Sequence, residues 1–264
     1  MGDPITDSWM SLGAVAVLLG VGMVALIEGG RRLALRRMRR EPEGSQAGVS
    51  AVDGAVFALF GLLIAFTFSG AGSRFDARRA LVTQEANAIG TAWLRADLLD
   101  EPHRSQLKDQ LARYVAHRIE VSGRLRNGLG EIDAAEIAAF HQRIWNAASE
   151  GSLAKPATMV VVLPPVNEVI DMHATRVAAG RKHLPMLVLG LLIACSVLGV
   201  AVIGYGCGLG RRRALPMTVS LALLIGAALW TTIDLDYPRR GLIQLSDAPL
   251  RELDLKPARP ATDG

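Results

Sequence analysis

The side chains best placed to do chemistry in this chain are ionisable residues crowded at the ends of long apolar blocks. Glu28 and Asp53 stand at one set of ends, Arg74, Asp76, Arg78 and Arg79 at another with Glu85 beyond them, and Asp234, Asp236, Arg239 and Arg240 follow the last block. Charges in such places either snorkel to the water at a bilayer edge or line an aqueous vestibule. Arg74, Asp76, Arg78, Glu85, Asp234, Asp236 and Arg239 are therefore the candidates for a vestibule or a subunit interface.

No catalytic pattern accompanies these charges. His103, His117, His141, His173 and His183 include no His-x3-His or Glu-x2-His pair, so no metal site is expected. No serine sits in Gly-x-Ser-x-Gly, and no nucleophile, base and orienting acid stand at motif spacing; neither an enzyme nor a cofactor is expected. Residues 204–210 read GYGCGLG, but this glycine run ends an apolar helix and has no Lys-Ser/Thr after it, unlike a phosphate-cradling loop. Close helix packing through Gly204-x3-Gly208 and Gly206-x3-Gly210, or a turn, explains it. Cys195 and Cys207 lie on one apolar segment without a partner motif, which suggests neither a disulfide nor a metal. A net charge of +4, with no basic helix interleaved with aromatics, gives no footprint for nucleic acid.

The elements that must position these residues are membrane helices. Crossing a hydrocarbon core takes roughly 20 mostly apolar residues, and segments 9–27, 55–71, 184–205 and 217–233 carry no charged residue. The expected fold is all-α: a polytopic membrane protein with four transmembrane helices and an extramembrane antiparallel helical bundle. The expected divisions are 1–71 (helices one and two with a basic loop), 72–183 (the bundle), 184–233 (helices three and four) and 234–264 (a C-terminal tail). Asp3 and Asp7, with no basic residue before the first segment, favour a retained anchor over a cleaved signal peptide.

Arg31, Arg32, Arg36, Arg37, Arg39 and Arg40 fill the first short loop, and Arg211, Arg212 and Arg213 the other. An excess of Lys and Arg holds such loops in the cytoplasm. The N-terminus, the bundle and the tail then lie on the far side, the periplasm of a bacterial inner membrane. Trp9, Trp230 and Tyr237 fall where an outer aromatic belt would be.

Within 72–183 the second helix is expected to continue to Leu99, with Phe75, Val82, Ala86, Ile89, Trp93 and Ala96 on one seam. A second bundle helix presents Leu107, Leu111, Tyr114, Val115 and Ile119. Asp133 and Glu136 form a capping-box pattern ahead of Ile137, Phe140, Ile144 and Trp145. A fourth helix is expected to start near Pro165. The faint seams leave room for neighbouring subunits, so homo-oligomerisation is expected.

Residues 58–99, ALFGLLIAFTFSGAGSRFDARRALVTQEANAIGTAWLRADLL, resemble the central block of the bacterial bestrophin-like membrane proteins, a family of unassigned function. VNEVIDMHATRVAAGRKHLP (166–185) and TTIDLDYPRRGLIQLSDAPLREL (231–253) resemble its other landmarks in the same order. The resemblance implies a likeness to bestrophins proper, pentameric anion channels whose second membrane helix lines a narrow apolar neck. On that analogy Phe60 and Phe66 are pore-lining candidates and Arg74 a vestibule candidate, with an inorganic anion as partner alongside the lipid bilayer. Bestrophins place their helical domain in the cytoplasm, opposite to the side the arginine loops indicate here. The leading expectation is a homo-oligomeric, bestrophin-like channel. The alternative is a non-conducting membrane sensor or scaffold whose helical domain binds a ligand or protein.

Overall fold

The computed structural model describes residues 4–40, 49–126, 133–209, 215–238 and 242–255. Regular structure there is entirely helical: α1 (Pro4–Arg40), α2 (Val49–Arg95), α3 (His103–Arg126), α4 (Ala134–Ala154), α5 (Met159–Arg181), α6 (Met186–Leu209), α7 (Leu215–Asp236) and the single turn α8 (Ala248–Arg251). The chain divides into two compact units, one made of 1–74 and 183–243, the other of 75–182 and 244–264. The proline-free α2 contributes to both.

The first unit joins α1, the N-terminal half of α2, α6 and α7. Its core is Met23 and Ile27 from α1, Phe60 from α2, Leu192 and Val200 from α6, and Ala222, Ile225 and Leu229 from α7. Among the described residues, three helices are long and apolar enough to cross a membrane: those carrying the 55–71, 184–205 and 217–233 segments. The 9–27 segment lies on α1, and its side chains before Gly20 fall outside the described residues. The basic loop 211–213 also lies outside them. Two hydroxyls within the apolar helices are satisfied locally: Thr67 Oγ1 donates to the Leu63 carbonyl at 2.9 Å and Ser196 Oγ to the Leu192 carbonyl at 2.7 Å. That is the arrangement an environment without water demands.

Glycine decides how closely α1 and α6 approach. A Cβ on Gly204 would meet the Ile27 carbonyl, one on Gly208 would come within 2.7 Å of the Arg31 carbonyl oxygen, and one on Gly30 would collide with the Ala201 carbonyl. The Gly204-x3-Gly208 pair is thus a helix-packing surface, the small-residue device that membrane helices use where hydrophobicity gives no mutual attraction. Gly210 lies outside the described residues.

The second unit gathers α3, α4, α5 and the C-terminal half of α2 on one core that includes Ile89, Trp93, Leu107, Leu111, Tyr114, Ile144 and Val166. Leu250 of α8 is buried in the same core and Leu253 packs against it, so the segment after 243 is part of this unit. Asp133 caps α4, its carboxylate accepting from the amides of Ala135 (2.9 Å) and Glu136 (3.3 Å), while Glu136 turns to His117 at 3.3 Å.

The start of α5 differs from the expectation. It begins at Met159, and Pro164 and Pro165 lie inside it. Pro165 has no N–H to donate to the Val161 carbonyl, and Arg95 Nη1 donates there instead at 2.9 Å. A guanidinium from α2 thus replaces the missing backbone bond, which local sequence rules cannot foresee.

Candidate functional site

The first unit carries an acidic pair at the end of α7. Asp236 accepts from Arg74 Nε at 2.8 Å and from the Leu184 amide at 2.8 Å, and its carbonyl lies 3.1 Å from His183 Nδ1. The His183 ring stacks on Tyr237, centroids 4.5 Å apart. Asp234 accepts from the amides of Leu242 (3.0 Å) and Ile243 (2.8 Å), folding the chain back after α7. Both carboxylates are buried. A buried carboxylate with charge-assisted donors holds elements in register; here Asp236 of α7 ties together α2 and the connection that leads into α6.

The second unit carries a larger cluster. Glu85 of α2 is fully buried; its Oε1 accepts from the Tyr114 hydroxyl at 3.0 Å and from Arg118 Nε at 3.2 Å, and its Oε2 accepts from Arg176. His141 of α4 lies beside it, its ring 5.6 Å from that of Tyr114, and meets His173 of α5 edge to face at 5.3 Å. Burial, and then the Arg118 charge, push the His141 imidazole below its usual range. Burial first, then Arg118 and His141, push His173 down to about 4. Burial raises the Tyr114 hydroxyl. His173 stands outside the apolar span of 184–205 and His141 lies on α4, so both belong to the non-spanning part of the chain.

The sequence candidates fall into two groups. Phe60, Arg78, Glu85, Asp234 and Asp236 are covered by their own chain. Phe60 fills the core of the first unit, and Arg78 donates to the carbonyls of Ala179 (3.2 Å) and Lys182 (2.6 Å), capping the C-terminal end of α5. Side chains so covered hold their own helices together, and burial places Phe60 and these charges inside the single chain. Arg74 is half-buried in its pair with Asp236. Phe66 and Asp76 are exposed. Arg239 lies outside the described residues.

Phe66 and Asp76 share one stripe of α2. Leu59, Leu62, Phe66, Ser69, Ser73 and Asp76 recur at alternating threes and fours, and all are exposed; Phe66 retains 69% of its surface. Such spacing keeps a single helix face in line. Along it the chemistry changes from aliphatic to aromatic to hydroxyl to carboxylate.

Residues 16–250 match the bestrophin-like domain. The chain belongs to the bestrophin-like family. In fold this bestrophin-like chain is similar to a point-mutated bacterial bestrophin homologue from Klebsiella pneumoniae, with a TM-score of 0.65 over 88% of this chain and 95% of that one, at 14% identity. No curated protein matches it significantly. With its apolar helices, the bestrophin-like chain is a membrane protein. Arg118, Arg176, His141 and His173 escaped the sequence reading because they converge from α3, α4 and α5 with no spacing motif to connect them.

Proposed function

We propose that the chain is one subunit of a homo-oligomeric membrane channel, with the exposed stripe of α2 facing the conduction path. The observation that carries this reading is the stripe itself. The chain's other three membrane-unit helices leave Leu59, Leu62 and Phe66 uncovered, and the same face continues into Ser69, Ser73 and Asp76. Hydroxyl and carboxylate groups are costly against lipid and favourable against water, whereas apolar rings make a constriction that gates by dewetting. Membership of the bestrophin-like family and the fold likeness to a bacterial bestrophin homologue support the same reading. Phe66 is the neck side chain, with Phe60 packed behind it as part of the subunit core.

The proposed permeant is an inorganic anion. Arg74, the vestibule candidate, gives its Nε to Asp236. The proposed placement is a bacterial inner membrane crossed four times, α1 included. The arginine-rich C-terminal end of α1, helical in the structure where a loop was expected, and the basic run 211–213 face the cytoplasm, and an antiparallel helical bundle lies on the periplasmic side. A second reading, a non-conducting scaffold, draws on exposed apolar side chains in the second unit: Leu94, Leu98, Leu153 and Val160.

Purified protein in proteoliposomes separates the two. The channel reading predicts a ring of several copies by mass measurement in detergent, and halide flux above that of empty vesicles. Monomers with no flux of any small ion would overturn it.

A further inference from the structure

We propose that His141 and His173 form a proton-operated latch in the helical unit, closed when both rings are neutral and opened when they are protonated. This goes beyond conduction and holds whether or not the chain is a channel.

The geometry carries it. The rings come from different helices, α4 and α5, and pack edge to face with centroids 5.3 Å apart. His141 Nε2 and His173 Nδ1 are both buried without a hydrogen-bond partner. A neutral imidazole can leave one nitrogen as an idle acceptor, but an imidazolium must donate from both. Neither buried nitrogen has an acceptor to donate to.

The surrounding charges make matters worse for a proton. From α2 comes Glu85, whose carboxylate is already shared by Arg118, Arg176 and the Tyr114 hydroxyl. From α3 come Arg118 and Tyr114. On α4 itself, Arg143 lies over the Phe140 ring and bonds Gln110. On α5, Arg176 stands three residues after His173, and Asp171 accepts from Asn167 at 2.8 Å. From the C-terminal segment, Asp247 accepts from Ser122 at 2.8 Å. An added imidazolium would also stand in the field of the Arg118 guanidinium, which disfavours its charge.

The sign follows from linkage. His173 binds its proton at about 4 in the closed form against an ordinary 6.5. The opened form therefore takes up more protons, and closed-form stability is full above 6.5 and falls as the pH drops towards 4. Because Glu85 stands on α2, opening the cluster frees the C-terminal half of the helix whose N-terminal half carries an apolar span.

The test uses the full chain in lipid nanodiscs across pH 7 to about 4. Histidine C2–H exchange reports protonation residue by residue. Amide exchange, corrected for its intrinsic pH dependence, reports opening. The expected result is that α4 and α5 lose amide protection as His141 and His173 take up protons. His173→Gln and His141→Gln should each shift that loss to lower pH by about one unit or remove it. Protection of α4 and α5 that persists to pH 4 in the unmodified chain would overturn the proposal. So would protection lost at the same pH in both variants. If neither variant folds, the unmodified chain still decides: protonation and opening separated by more than about one unit would overturn it.

Discussion

Replacing Glu85 by alanine is expected to cost the helical unit about 3–5 kcal/mol, more than any other single substitution in it. The carboxylate is fully buried and accepts from Tyr114, Arg118 and Arg176 together. Removing it takes away the carboxylate to which both guanidiniums donate, in a site largely shielded from water. Trp93 and Trp145 belong to or pack on the same core, so their fluorescence during denaturant unfolding follows this unit. A loss below about 1 kcal/mol, the size of a surface pair, would show that the cluster is not the anchor described here.

The second large effect is expected at the contact between α1 and α6. Gly204→Leu should abolish recovery of folded protein in detergent, because even a Cβ at this position would lie within 2.7 Å of the Ile27 carbonyl carbon. Overpacking of a fixed core costs about 1–3 kcal/mol, and here the obstacle is backbone that cannot rotate away. Gly190→Leu on the same helix is the control, since nothing lies within 4 Å of its Cβ position. Size-exclusion profiles and thermal shifts compare the two. Equal recovery of both variants would remove Gly204 from the packing account.

The membrane character and the family were legible in the sequence because they rest on local properties. Uninterrupted apolar runs announce helices wherever they lie, and the blocks around Arg74 and Asp234 keep the family pattern. Asp133 was legible for the same reason, since a cap acts on amides two and three residues away. Pro165 was not. Its reading as a helix start follows from its missing N–H, and the structure supplies a substitute donor from Arg95, 66 residues away in the chain. Burial was also illegible: Asp236 and Asp76 are both carboxylates near a span end, yet one is sealed under Arg74 and the other faces outward. The Glu85 cluster was the least legible part, since its members come from four helices and become a site only when those helices pack.

In the proposed channel the exposed face of α2 lines the ion path. Cysteine placed at position 66 tests it most directly, with the native free thiols removed as Cys195→Ser and Cys207→Ser. In proteoliposomes of Phe66→Cys, a bulky methanethiosulfonate reagent should react at that position and stop the flux. Phe60→Cys, behind the same face, should be slow to react and should leave the flux intact. Complete modification at position 66 with flux unchanged would contradict the account.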